Sequence, residues 1–520
     1  MGRSSITISS ARSFVLILAL AAGCSSRPAR FADRAPVSAI DDDASAPLPR
    51  ARTIPEAFVI ADAHVRRTLV SALDPARFPE PGDVNAVDEV PRSSWFGRAI
   101  AKPALAPEPP LVASAAPTTA VENGLSVVDA RGIAWELFVD PADRPEMRTA
   151  AAVIVGRLVH ALGWIAPDAA VIALRVDDFA PTSRDHATPL LRRAPRESED
   201  PGAAGRKRVG AVRWPTGIDL GPTPVSGVRE DDANDRVPHE DRRTLRALAP
   251  IVAWLGISEL SPSNLRDVYV GAPGAGHVIH TLTGLDGALG ADAVLREVDA
   301  ERADSLDGDA VRRLYTLGLA RPARRPTQRR FPALGEIEPA VEPHDFQVTP
   351  PFEPFDRCSG ADAYWAAKRM LALPPAVLDQ AIAGGRITDP AARSRLAAIL
   401  EARRRAIAQI ALAGVTPLEV VRVERRAVVL SDVAIAGGFA RAGDTQYRVR
   451  LLSESGDDLR RVSSIPASSA ELSVELPTAV SSRYTIVRVT AVRSGRESPR
   501  AFEAHFIGGP GGPRLVGIMH

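Results

Sequence analysis

The chain has 520 residues, with 64 Lys and Arg set against 63 Asp and Glu and a formal net charge of +1. That balance excludes a protein that grips nucleic acid through bulk charge, which shows as a strongly basic domain. With 45% hydrophobic residues, 45 Pro and 38 Gly, the chain can bury a core and is not wholly disordered, and its two Cys exclude a disulfide-stapled scaffold.

The predicted elements begin with an address. Arg3 and Arg12 precede an apolar run, Ser13 to Gly23, of about eleven residues, well short of the ~20 that a spanning helix needs. The run ends in Leu20-Ala21-Ala22-Gly23-Cys24, which resembles a bacterial lipobox, although Ala21 stands where Leu is commonest. The resemblance implies cleavage before Cys24 and lipidation of its thiol; the alternative is an ordinary secretory signal with an incidental Cys. Residues 1–24 are therefore expected as a lipoprotein signal peptide, and the mature protein as held in the cell envelope by lipid on Cys24. Cys358 is then left as a free structural thiol near Phe352, Phe355 and Trp365.

Residues 25–56, with Pro throughout and the triplet Asp41-Asp42-Asp43, read as a flexible tether. Residues 57–415 read as an α+β body. Its first helix is expected over Ala57–Leu73, followed by a Pro/Ala-rich stretch over Lys102–Pro117. Two strands flank a turn at Asp129–Gly132, and Asp140-Pro141 ends the second. Glu146–Leu162 has helical apolar spacing, Ala170–Val176 reads as a strand, and Asp178 to about Arg236 as loop. Glu240–Gly256 reads as helical with a kink near Pro250. The run Gly271-Ala272-Pro273-Gly274-Ala275-Gly276 reads as a hairpin turn. Arg321–Pro354 is Pro-rich and expected to wrap the surface. Helices return over Ala361–Leu371, Pro375–Ala383 and Asp389–Ala413, the last with Arg403-Arg404-Arg405 expected as a solvated face. Over residues 416–507 the period switches to two, in five or six short strands of an immunoglobulin- or fibronectin-like β-sandwich. Residues 508–520 are expected as a flexible tail.

Three segments have specific wording: Asp83–Phe96, Arg229–Arg243 and Asp362–Lys368. Together they resemble a large, uncharacterised family of exported, often lipid-anchored proteins of high-GC bacteria, over roughly Asp83 to Val492. The resemblance implies a two-lobed, diverged protein-kinase-type core similar to the HipA and CotH groups. Such a core needs a strand Lys held by a helix Glu, a loop Asp with a metal-binding Asn beyond it, and a later Asp that binds magnesium. Carried onto this chain, the resemblance places Phe138 at the Lys, leaves Glu146 as the helix acid, puts Glu259 at the loop Asp, keeps Asn264, and puts Gly284 at the magnesium Asp with Asp286 two residues on. Glu146, without a cation, is expected to favour the helix N-terminus. A lost charge-assisted contact costs about 1.5–3 kcal/mol, and a lost metal carboxylate adds to that, so loss of activity is expected.

Other signals are weaker. His239, His277 and His280 are expected to be structural, and Asp231-Asp232-Ala233-Asn234-Asp235 a solvated acidic turn, because it lacks the Gly and terminal Glu of a calcium loop. No metal pattern, phosphate loop or Ser nucleophile is found, and no cofactor is expected. The function expected is a lipid-anchored, catalytically degenerate binding or structural protein of the envelope, with a protein or polysaccharide partner and no nucleic acid. The alternative is an envelope kinase or nucleotidyltransferase using relocated residues.

Overall fold

The computed structural model describes residues 28–53, 61–63, 65–66, 78–97, 106–114, 124–195, 205–260, 264–296, 331–341, 346, 348, 350–476, 484–509 and 511–520. The expected signal peptide, Cys24 and most of the helix expected over 57–73 lie outside them, as do parts of the stretches 102–117 and 321–354.

The chain is α+β. Strands β1 (Val112–Ala113), β2 (Leu125–Val128) and β3 (Ala134–Phe138) lead into helix α1 (Met147–Leu162), then strand β4 (Ala169–Leu174), helix α2 (Arg184–Arg193) and strand β5 (Lys207–Arg213). The five strands form one antiparallel sheet in the order β1-β2-β3-β5-β4. Helix α1 is buried along nearly its whole length, with Ala150, Ile154, Leu158 and Leu162 at helical spacing in the main core. Its cap is remote: Asp140 accepts from the backbone N–H of Arg148 and Thr149 at 2.8 and 2.9 Å.

Strand β6 (Ile218–Pro222) precedes helices α3 (Arg243–Arg246) and α4 (Leu248–Leu255) and the hairpin of β7 (Leu265–Val270) and β8 (His277–Leu282). The expected hairpin turn is in place, and β6 adds to it in the order β6-β7-β8. The region read as loop thus holds α2, β5 and β6. The short helix pair breaks at Ala247, between α3 and α4, because Pro250 sits in the first turn of α4, where its missing N–H costs nothing.

Helices α5 (Ala291–Arg296), α6 (Glu353–Asp356), α7 (Gly360–Ala372), α8 (Pro375–Gly384) and α9 (Pro390–Ala413) follow. Ser359 and Asp362 form a capping box at α7, and Asp389 with Pro390 starts α9. The arginine run on α9 is not a solvated face. Arg403 is buried and donates to the carbonyls of Ala253 and Glu338, Arg404 is buried beside it, and only Arg405 is exposed, over the Phe439 ring. Aliphatic stems let the two buried arginines join the apolar face while their heads reach backbone acceptors.

The last part comprises β9 (Leu418–Val423), β10 (Ala427–Asp432), a helical turn α10 (Val433–Ala436), β11 (Thr445–Ser453), β12 (Ser463–Pro466), β13 (Glu471–Glu475), β14 (Tyr484–Arg493), β15 (Arg496–Glu497), β16 (Phe502–Gly509) and β17 (Gly512–Met519). One antiparallel sheet runs β13-β10-β9 and the other β12-β11-β14-β16-β17, with β15 on β14. Alternate residues such as Tyr447, Val449 and Leu451 of β11 meet Leu430, Leu472 and Phe502 in a shared core. The expected flexible tail is strand β17, paired with β16 from Glu503↔Met519 to Gly509↔Gly512. Its glycines hid the strand period.

The expected tether also differs. Residues 28–53 lie along the folded part: Phe31 N–H donates to the Tyr484 hydroxyl at 2.9 Å, Ile40 N–H to Arg92 O at 2.8 Å, and Arg52 N–H to Leu220 O at 2.7 Å. Backbone bonds and one inserted ring hold a segment that is too polar to build a core of its own. None of the described helices is long and apolar enough to cross a membrane.

Candidate functional site

Phe138, where the resemblance expects a Lys, is fully buried and covers Gly210 of β5 so closely that a Cβ there would lie 2.4 Å from its ring. The cation near Glu146 comes instead from the neighbouring strand. Arg208 of β5 approaches Asp140 to 3.8 Å and Glu146 to 3.9 Å. Its donors are spent on structure: Nε donates to Thr149 Oγ1 at 2.8 Å, and the two Nη atoms donate to the carbonyls of Arg386 and Gly385, each at 2.7 Å. Glu146 sits at φ 71° and makes no capping bond to α1; its carboxylate accepts from Thr388 N–H at 2.9 Å. The expected helix-start role for Glu146 is therefore corrected: Asp140 caps α1, and Glu146 pins the α8–α9 connection. Burial pushes the Asp140 carboxyl up, opposed by its Thr149 bonds and by Arg208.

Asn264 immediately precedes β7, beside Thr283, which immediately follows β8. The Asn264 amide donates to Thr283 O at 3.4 Å, and Thr283 N–H donates back to Asn264 O at 2.7 Å. Gly284, at φ 68°, turns the chain into the 3-10 turn that carries Asp286. Asp286 is buried, and Arg148 from the first turn of α1 takes its carboxylate: Nε donates to Oδ2 at 3.0 Å and Nη2 reaches the same oxygen. One oxygen of this carboxylate, Oδ2, is thus held in an internal ion pair. Glu259 is half-buried in the turn after α4. Among the described residues no group of three His, Cys, Asp or Glu side chains is arranged to hold a metal. Cavities of about 360 and 940 Å³ lie elsewhere, the first against Cys358 and Phe352 and the second between β4 and α8, and neither is lined by Glu146, Glu259, Asn264 or Asp286.

Sequence reasoning missed Arg148 and Arg208, although each carries a signal. Arg148 is a cation in the first turn of a helix, where the macrodipole disfavours it. Arg208 is a charge next to the buried run Val209–Ala211 of β5. Both placements require an acidic or carbonyl partner.

The three distinctive segments meet at a different place. Arg243, at the start of α3, is fully buried; its Nη1 contacts Asp88 Oδ1 at 2.5 Å, its Nε contacts Asp362 Oδ1 at 3.0 Å, and its N–H donates to Asp83 Oδ1 at 2.6 Å. Trp365 Nε1 donates to Glu89 at 2.8 Å, and Lys368 bridges Glu89 and Glu419 at 2.5 and 2.9 Å. His520, the last residue, reaches Asp88 at 2.7 Å. This network joins the body to β9 and to the chain's end. Burial alone would raise the Asp88 carboxyl, but Arg243 and His520 hold it below its ordinary value.

A second buried cluster lies beside it. Trp95 stacks on His280 with centroids 3.8 Å apart and meets His239 edge-on. His280 Nδ1 is 2.8 Å from Asp267, and His239 Nε2 is 2.8 Å from Asp235, which also accepts from Arg242 at 2.7 Å. The expected solvated acidic turn is therefore corrected: Asp232, Asn234 and Asp235 are all buried. Burial would raise the Asp267 carboxyl, but His280, Thr223 and Arg229 together bring it down to about 2. The structural reading of the two histidines agrees with these contacts: both ring nitrogens of His239 are bonded, and His280 meets Asp267 through Nδ1. Cys358 is a free thiol that burial pushes well above its usual range. No protein-family model matches the chain, and no curated protein matches it.

Proposed function

We propose that this is a lipid-anchored cell-envelope protein whose kinase-like body has lost catalysis and serves as a binding or structural scaffold, tied to an immunoglobulin- or fibronectin-like sandwich. The observation that carries the reading is the Arg148–Asp286 pair. A divalent ion entering there meets a guanidinium that already holds Asp286 Oδ2, so using both carboxylate oxygens requires breaking a buried ion pair, a step that costs about 3–5 kcal/mol when one partner is removed outright. Phe138 adds no charge to hold phosphate. The two-lobed reading is supported by the antiparallel sheet with α1 between its third and fourth strands, and by the hairpin that separates the Asn264 and Asp286 turns. The envelope address rests on the lipobox-like run that ends at Cys24.

The test is a thermal-shift titration of the protein with ATP and magnesium or manganese, on the natural sequence and on Arg148→Ala. The expected result is no nucleotide-dependent shift in either. A saturable shift in the natural protein, with phosphoryl transfer abolished by Glu259→Gln, overturns the reading. One observation favours the alternative, an envelope phosphotransferase with relocated residues: Arg208 supplies a cation near Glu146 from a neighbouring strand. Its three donor groups already engage Thr149, Gly385 and Arg386, so phosphate would have to displace them.

A further inference from the structure

The geometry points to the β11–β12 end of the sandwich as a membrane-contacting surface for an anionic bilayer, with Leu459, Arg460, Arg461 and Val462 as the contact. This rests on the reading of Cys24 as lipidated. Four peptide steps separate Cys24 from Pro28, which places them at most ~14 Å apart. Pro28 packs against Gly456 at the tip of the β11–β12 hairpin, and Arg30 pairs with Glu454 at 2.6 Å. The Phe31 ring lies 4.8 Å from that of His505, in a recess where Gly517 leaves room for it. A lipid on Cys24 therefore cannot lead to a freely swinging body. It holds this tip of the sandwich against the bilayer.

The opposite end of the same strands carries the body. Thr416 N–H donates to Arg500 O at 2.9 Å, and His520 pairs with Asp88 at 2.7 Å. Strand β11 spans nine residues between the two ends, about 30 Å at the usual rise. The sandwich is thus a spacer that puts the body outward from the membrane.

The surface presented to the bilayer has matching chemistry. Leu459 and Val462 are 43 and 44% exposed. Of the large apolar side chains that stay exposed among the described residues, no other two lie so close along the chain. Arg460 and Arg461 between them are exposed and enter no ion pair among the described residues. The acids nearby are already neutralised or bonded: Glu454 by Arg30, Asp458 by Arg450 at 2.9 Å, and Asp457 by the Ser455 hydroxyl. Two exposed apolar side chains flanking two free guanidinium groups suit a headgroup layer that carries negative charge.

The test uses the full chain, reconstituted in vesicles of phosphatidylglycerol and phosphatidylcholine, with a spin label on Val462→Cys or, as a distant reference, on Asp177→Cys. Signal from Cys358 is subtracted using the unsubstituted chain. Mass spectrometry of the N-terminal peptide scores lipid on Cys24. The expected result is that a water-borne nickel chelate collides about fivefold less often with the label at 462 than with that at 177. Adding Arg460→Glu with Arg461→Glu raises the collision rate at 462. Equal collision rates at the two positions on a chain whose Cys24 carries lipid overturn the surface and leave the anchor standing. An unmodified Cys24 removes the anchor and the surface with it.

Discussion

Replacing Arg243 by Met removes the cation on which Asp83–Phe96, Arg229–Arg243 and Asp362–Lys368 converge, while keeping most of the apolar stem. The side chain is 1% exposed, and its partners Asp362 and Asp88 are 0 and 11% exposed. Taking one partner from a buried ion pair leaves an uncompensated charge and costs about 3–5 kcal/mol, against a total of about 5–15 kcal/mol for an ordinary domain. In the natural protein the folded Asp88 carboxyl lies below its unfolded value. Its stabilisation is therefore full above the unfolded value of 3.8 and disappears as pH falls through the folded one. Without Arg243 only His520 still opposes the burial effect, so ionised Asp88 loses much of its compensation as pH rises. The penalty of Arg243→Met is therefore largest near pH 7 and shrinks toward pH 4. Urea unfolding followed by tryptophan fluorescence reads this directly, because Trp365 donates to Glu89 within the same network. Adding Asp362→Asn removes one of the two stranded charges and recovers part of the loss. A loss below about 1 kcal/mol at pH 7, or one that is the same at pH 4.5, refutes the reasoning.

Asp267 offers a second pH signature: its folded value of about 2 lies below the ordinary 3.8, so its stabilisation is present above pH 4 and lost on acidification toward pH 2. That difference corresponds to about 2 kcal/mol, and Asp267→Asn should flatten the acid limb of a stability–pH curve. Gly210→Ala places a methyl 2.4 Å from the Phe138 ring and should destabilise by about 1–3 kcal/mol through overpacking, with Phe138→Leu restoring part of it in denaturant melts. Gly517→Leu fills the recess of Phe31, where a Cβ already comes within 2.1 Å of the ring. Limited proteolysis should then cut within residues 28–53 faster while the rest of the chain stays folded; an unchanged cutting rate denies the ring its anchoring role. Tyr447→Phe removes the hydroxyl that donates to buried Asp432 at 2.7 Å and should cost about 1–3 kcal/mol in the same melts.

What could be read from the amino acids alone was whatever local periodicity encodes. Helices α1, α7, α8 and α9 and the β7–β8 hairpin follow from apolar spacing, caps and a Gly/Pro turn, because each buries one face against whatever lies beneath it. Within the candidate site, the hairpin expected around Gly271–Gly276 separates Asn264 from the Gly284–Asp286 turn, and the structure has it there. Strands β5 and β17 escaped it because Gly210 in one, and Gly512 and Gly517 in the other, interrupt the alternation that marks a strand.

Charge was decided by the tertiary structure. Arg403 and Asp235 look solvated in isolation, since an ionised side chain is stable in water unless the fold brings it a partner. Arg403 finds carbonyls 150 and 65 residues away, and Arg148 finds Asp286 across 138 residues. The desolvation that makes an isolated buried charge prohibitive becomes tolerable only once those distant groups arrive together. For that reason an apolar Phe138 was visible in the sequence, whereas the pairing of Asp286 with an internal arginine required the folded chain.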